Sequence, residues 1–184
     1  MITGDLCSPR ERARLTGGQG LSETGRQATI VALRILDALE TELDDLYRQL
    51  AGFTRRQPGC RALQAQYGVG PITAAAIWAM LGDTRRFSSS RQAVRQAGLD
   101  VTVYSSDGKR SPGHLSRQGS PLLRWAAYEA GYCAARRTSP DHAYYLEVRD
   151  RAGGNRAALA VARKILRRSH HILRELGDQA FAPV

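Results

Sequence analysis

The stretch Tyr67–Asp83, YGVGPITAAAIWAMLGD, decides the architecture. Gly68 and Gly70 permit a tight turn, and Pro71 suits the first position of a helix because its missing N–H is not needed there. Upstream, Cys60–Tyr67 reads as a short helix. The Pro58-Gly59 pair in RRQPG separates it from a longer one. Helix, G-x-G turn, helix is the pattern from which the rest of the chain is read.

That pattern resembles a helix-hairpin-helix. In such a motif the free amides of the turn and the N-terminus of the second helix accept a phosphate without reading sequence, which makes Gly68 and Gly70 candidate DNA-binding positions. A purely structural helical turn would use the same residues, so both readings stand.

Moving outward toward the N-terminus, Thr29, Ala32, Leu36, Leu39, Leu43, Leu46, Leu50 and Phe53 alternate at spacings of three and four. This is the seam of a coiled coil or long helical hairpin, with Asp37, Glu40, Glu42, Asp44, Asp45 and Arg48 off the seam. It predicts a homodimer or higher oligomer through the leucines, or else packing on the chain's own core. Met1–Gly20 reads as a loose, flexible arm, and residues 21–58 as the coiled-coil or long-helix element.

Toward the C-terminus, Ser89 and Gln92 form a capping-box pattern opening SRQAVRQAGL. Val101–Tyr104 is the only strand-like run, with an Asp107-Gly108 turn signal beyond it. Ser120-Pro121 opens a helix, and Ser139-Pro140 another that ends at Gly153-Gly154. Asn155 is placed to cap a last helix, Arg156–Leu176, stopped by Gly177. The fold class is therefore mostly α: a coiled-coil helical element, then a small helical domain with a helix-hairpin-helix-like start and one short β-hairpin.

At 184 residues and 42% hydrophobic composition, the chain fits a folded domain plus an extended element. No apolar run reaches membrane-spanning length and the start is not a secretory signal, which predicts a cytoplasmic location without membrane contact. Cys7, Cys60 and Cys133 lie far apart and suit neither a disulfide framework nor a zinc site. The adjacent His170 and His171 point in different directions on a helix, so no metal site is expected.

The net charge of +10 is unevenly placed. Residues 1–82 hold 9 basic and 8 acidic groups, whereas residues 83–184 hold 18 and 9. Of the cations only Lys109 and Lys164 are lysines. An excess confined to one half suggests a polyanion partner, most simply nucleic acid. An arginine-rich solvated surface set by genome composition is the alternative. In the basic half lies YSSDGKRSPGHLSRQGS, Tyr104–Ser120, too polar to be ordered by burial of its own side chains. It is either a solvated turn or a loop offering a serine hydroxyl to a phosphodiester beside Lys109, Arg110, Arg117 and Arg124.

Four segments in register, YGVGPITAAAIWAMLGD, FSSSRQAVRQAGL, VYSSDGKRSPGHLSRQGSPLLRWAAYEA and AALAVARKILRRSHHIL, resemble the C-terminal transposase domain of the DEDD-type insertion-sequence transposases. That family is related to the Piv-type DNA invertases, and some members are guided by RNA. The resemblance covers roughly residues 60–176 and implies that residues 59–184 form the transposase domain. The family's Tyr-x-Ser-Gly pattern falls on Tyr104-Ser105-Ser106 and makes Ser106 the implied nucleophile. Asp107 follows, where the family usually has glycine, and its charge would repel an incoming phosphate. Gly108, Lys109, Gly113, His114, Ser116, Gly119 and Arg124 also match the pattern. Taken with the G-x-G turn and the cations named above, the candidate DNA contacts are Gly68, Gly70, Lys109, Arg110, His114, Arg117 and Arg124.

The implied function is the C-terminal part of a transposase or site-specific recombinase that binds DNA and presents Ser106 for phosphodiester exchange. Family members also carry an RNase-H-like domain whose acidic residues hold magnesium. The residues before Gly59 do not supply it, so the chain is expected to need no cofactor of its own and to be inactive alone. Two other readings remain: a non-catalytic nucleic-acid-binding dimer using the G-x-G turn and the arginines, and a structural helical protein, which the charge asymmetry disfavours.

Overall fold

The computed structural model describes residues 8–17, 20–106 and 109–183, with residues 102–106 and 109–113 described by their backbone. It is 77% helical with one short pair of strands. The helices are α1 (Pro9–Gly17), α2 (Glu23–Arg56), α3 (Pro58–Leu63), α4 (Pro71–Leu81), α5 (Ser90–Gln96), α6 (Pro121–Tyr132), α7 (His142–Ala152) and α8 (Gly154–Leu176). Strands β1 (Val101–Ser106) and β2 (Lys109–Leu115) lie between α5 and α6. Two compact units are present, Met1–Arg48 and Gln49–Val184.

In the first unit, Pro9–Gly17 is helical where the sequence suggested a loose arm. Pro9 opens the helix, the Ser8 hydroxyl accepts from the Glu11 amide at 3.3 Å, and Arg12 pairs with Asp37 and reaches Glu40 at 3.8 Å. A local cap and two charged contacts of Arg12 order a short segment that carries no apolar periodicity. Residues Met1–Cys7 of the expected arm lie outside the described residues. On α2 the seam leucines Leu39, Leu43 and Leu46 are more than half exposed, and so are Val31 and Ile35 beside them.

The second unit is built around α8. Ala157, Ala158, Val161, Ala162, Ile165, Leu166 and Leu173 are buried along it, against Leu123, Ala126, Ala127 and Ala130 of α6. Alanine at so many facing positions lets two backbones approach closely. At Gly131 even a methyl would not fit, since a Cβ there would lie 2.5 Å from the Ala158 oxygen. The C-terminal end closes the other side: Trp78 stacks on Phe181 and meets Phe53 edge-on, and its indole N–H donates to Ala180 O at 2.8 Å.

Several boundaries shift for local reasons. Ala97 and Gly98 end α5, and the Gln92 side chain accepts from the amide of Ser88 at 2.9 Å rather than from that of Ser89, so the expected capping box is displaced by one residue. Asn155 lies inside α8, whose N-cap is Gly153. Its Oδ1 instead accepts the Tyr128 hydroxyl at 3.1 Å. Ser120 does cap α6, accepting from the Leu123 amide at 3.2 Å. No described helix is long and apolar enough to cross a membrane.

Two buried ionisable groups fix the acid response. His170 on α8 is 1% exposed, packs on the Phe87 and His171 rings, and has no hydrogen-bond partner on either ring nitrogen. Burial, then the nearby His171 and Arg174, lowers its pKa from 6.5, so it is held neutral. Asp141, ahead of α7, accepts from both Nη atoms of Arg168 at 2.5 and 2.9 Å and lies 2.9 Å from Lys164 Nζ, which holds its carboxyl at about 2. The unfolded chain therefore gains a proton at position 170 before the native state does. Stability should be intact above about pH 6.5 and decline below it, by at most about 1.4 kcal/mol per pH unit from this one group. A separate decline follows between about pH 4 and 2 as Asp141 protonates. Urea unfolding across this range should show both, with His170→Leu removing only the first. A wild-type midpoint that stays constant from neutral pH down to pH 5 would contradict a neutral, buried His170.

Candidate functional site

The polar segment is ordered as an antiparallel hairpin. Ser106 pairs with Lys109, Ser105 with Arg110, Tyr104 with Ser111, Val103 with Pro112 and Val101 with Leu115, with a bulge-like irregularity between Val101 and Val103. The turn residues Asp107 and Gly108 lie outside the described residues. Strand geometry puts Ser106 about 16 Å beyond Val101, at the end of the hairpin away from the helices.

A segment this polar holds its shape because its root is built into the helical unit. Gly98, at φ +63°, turns the chain out of α5. A Cβ there would lie 2.8 Å from the carbonyl carbon of Arg117, and one at Gly119 would lie 2.4 Å from Gln96 O. The outgoing and returning strands of chain therefore touch backbone to backbone. Three main-chain hydrogen bonds join them: Ser116 N–H to Asp100 O at 2.9 Å, Arg117 N–H to Gly98 O at 3.1 Å and Ser120 N–H to Gln96 O at 2.9 Å.

Side chains from three directions complete the root. Arg124 of α6 donates through Nη1 to Ala97 O at 2.9 Å, placing its charge at the C-terminal end of α5, where carbonyl oxygens are unpaired. Arg163 of α8 donates through Nε to Leu99 O at 2.7 Å, and burial lowers its pKa below the usual arginine range. The Ser116 hydroxyl donates to the Asp100 carboxylate, whose other oxygen lies 3.7 Å from Arg95 Nε. A guanidinium that supplies a hydrogen bond to a buried carbonyl orders the chain more firmly than one solvated on the surface.

The residues singled out from the sequence fall into two groups. Ser106, Lys109, Arg110 and His114 are brought together on the hairpin, and Arg117 and Arg124 lie at its root, where Arg117 itself adopts φ +52°. Gly68 and Gly70 lie elsewhere in the unit, on an open cavity of about 630 Å³ that neither Arg117 nor Arg124 lines. Tyr67, Cys133 and Arg136 line it too. The two glycines differ in role. Gly68, at φ +83°, packs where a Cβ would lie 2.5 Å from Ala130 O, whereas a Cβ at Gly70 would meet nothing within 4 Å, and the Gly70 amide donates to Thr73 Oγ1 at 2.9 Å. Arg136, Gly98, Asp100 and Arg163 were not anticipated. For Gly98 a signal existed, a glycine directly after a helix, but for Arg163 nothing local marks it out from its neighbours.

The hairpin, its root and the G-x-G turn fall inside one stretch, residues 60–146, that matches the Transposase IS116/IS110/IS902 family. That match, together with the relatives that follow, supports a transposase domain in this stretch. The chain is 31% identical over 133 residues to a probable family 20 transposase of Pseudomonas aeruginosa, covering 70% of this chain and 39% of the relative. It is 29% identical over 142 residues to the transposase for insertion sequence element IS1111A of Coxiella burnetii, covering 71% and 39%. An insertion element IS116 uncharacterized 44.8 kDa protein of Streptomyces clavuligerus is 25% identical over 112 residues, covering 61% and 28%. The chain thus spans about two fifths of the length of the first two relatives. Arg163 and His170 of α8 lie beyond the matched stretch, although α8 packs against the helices of that stretch.

Close packing at the glycines is directly testable. Gly68→Ala and Gly119→Ala should each destabilise the chain by about 2–4 kcal/mol, since backbone must move to admit a methyl group. Gly70→Ala should cost less than about 1 kcal/mol, the usual difference at a helix N-cap. Denaturant unfolding of the three variants measures this. Equal effects at positions 68 and 70 would contradict the division of roles.

Proposed function

We propose that the chain carries a transposase domain of the DEDD type, related to the Piv-type invertases, and that it binds DNA through its basic second half while the hairpin presents Ser106 as a nucleophile. The observation that carries the reading is the hairpin itself. A very polar strand pair with Ser106 opposite Lys109 is rooted in the helical unit by buried glycine and arginine contacts, within the stretch that matches a transposase family. In the proposed step the Ser106 hydroxyl loses its proton and attacks phosphorus. A phosphoserine ester forms, and the sugar oxygen of the cleaved strand leaves with a proton. One phosphodiester replaces another, so the broken ends can be rejoined without a high-energy cofactor. Lys109 and Arg110 are the nearest cations along the hairpin to offset the charge on the phosphoryl oxygens.

Among the described residues no group of three His, Cys, Asp or Glu side chains could hold a metal ion. Magnesium does not fit this set, and in the proposed scheme the carboxylates for it come from an RNase-H-like domain supplied separately. The helix–turn–helix at Gly68–Gly70 is read as a helix-hairpin-helix, with Arg136 beside it as counter-charge for a phosphate. The guide RNA used by some members of the resembled family stays open to the same binding surface.

A second reading is favoured by one observation, the exposure of Leu39, Leu43 and Leu46 on α2. Pairing of two chains along this seam would make a coiled-coil dimer that binds nucleic acid without cutting it. The experiment that separates the two looks for a covalent DNA–protein adduct on a denaturing gel, with the acidic domain of a relative supplied in trans. An adduct is expected with the wild-type chain and with Ser105→Ala. None is expected with Ser106→Ala, whose DNA affinity should stay within about twofold because the hydroxyl is one contact among many cations. An adduct that persists in Ser106→Ala would overturn the nucleophile, and its absence from every variant would favour the binding dimer.

A further inference from the structure

Helix α6 has an unusual outward face. Leu123, Ala126, Ala127, Ala130 and Gly131 point into the core, as an amphipathic helix requires. The opposite face should be charged, yet it carries Leu122, Trp125 and Tyr132, exposed by 47%, 44% and 54%. Tyr128 lies at its margin with its ring stacked on that of Tyr132 at 6.3 Å, and its hydroxyl is tied to Asn155. Glu129, the one acidic residue on the helix, is exposed on this same face, between Trp125 and Tyr132. Exposed rings at this density mark a surface that meets a partner.

We propose that this face is a stacking platform for the unpaired bases of single-stranded DNA. The residue types favour bases over a second apolar surface, because tryptophan and tyrosine offer flat π faces and a polar edge, where a helix-packing stripe would carry leucine and isoleucine. The charge favours a polyanion: from Arg117 to Arg137 there are four arginines and one glutamate, and Arg136 and Arg137 are exposed beyond the end of α6. Trp125 and Tyr132 are two helical turns apart, about 10 Å along the axis, a span that a few nucleotides of an extended strand cover. A duplex hides its base faces in the stack, so only a strand opened during exchange could use the platform. The proposal rests on the DNA reading above but is independent of Ser106.

The test uses the full chain, whose two tryptophans report separately. Trp78 is enclosed by Phe53 and Phe181 and serves as the internal reference, while Trp125 faces solvent. A short oligothymidine should quench the Trp125 emission. Trp125→Ala should weaken its binding about tenfold, as removal of one base-stacking ring does, and Tyr132→Ala should weaken it to a similar degree. Binding of a blunt duplex of equal length should stay within about twofold in both variants, and thermal unfolding should not change, since neither ring is buried. Duplex binding with no response to oligothymidine would overturn the platform and leave the DNA reading standing, whereas failure to bind either would remove both. Tighter, ring-dependent binding of oligouridine would overturn the assignment to DNA. A multimer that Trp125→Ala dissociates would show that the face is covered by protein instead.

Discussion

The contact on which the rest depends is the meeting of two backbones at Gly98 and Gly119. Neither strand of the hairpin has enough apolar surface to order itself, and an isolated two-stranded sheet is marginal in water. Here the ordering comes from the base: where chain enters and leaves, the main chains touch with no side chain between them, and three amide hydrogen bonds close the gap. Any Cβ at either glycine would push the root open. The entropy of the hairpin is thus offset at a site removed from the residues it carries, which leaves those residues free to be polar.

The arginines of the basic half are not one population. Arg163 is half-buried and holds Leu99, Arg168 and Lys164 neutralise Asp141, and Arg124 lies over the last carbonyls of α5. These cations join elements of the fold, and the Arg168–Asp141 pair ties the start of α7 to the last helix. Arg136 and Arg137 lie exposed after α6, and Arg136 lines the G-x-G cavity. A count of charge along the sequence treats all of these alike, while burial divides them into structural and available cations.

How much could be read from the sequence follows the range of the interaction. The helices α4 and α6 carry their own signals in Pro71 and Ser120-Pro121, and the hairpin was legible from Val101–Tyr104 and the turn signal after it. The α1 helix was not legible, because it depends on Arg12 meeting Asp37 across many residues. The displaced cap at Gln92 and the bond from Tyr128 to Asn155 depend on which amide or hydroxyl happens to be nearest in space, which spacing alone does not encode. At the candidate site, the residues carried over by resemblance lie on or near the hairpin, but its supports do not follow from any motif. Gly98 is close in sequence and could be read as a helix stop; Arg163 acts across 64 positions and could not. The aromatic face of α6 was hidden for a different reason, since WAAYEAGY reads as ordinary helix until one knows which side is covered.

Amide hydrogen exchange at the root measures the central constraint most directly. The N–H groups of Ser116, Arg117 and Ser120 donate across the two backbones. In the wild-type chain they should exchange only through global unfolding, with protection equal to that of the α8 core. In Gly119→Ala they should exchange much faster than the α8 amides of the same variant, as the root opens while the helices persist. Wild-type exchange at these three amides as rapid as in an unstructured loop would contradict the account, because the hairpin would then hang from the helices instead of being built into them.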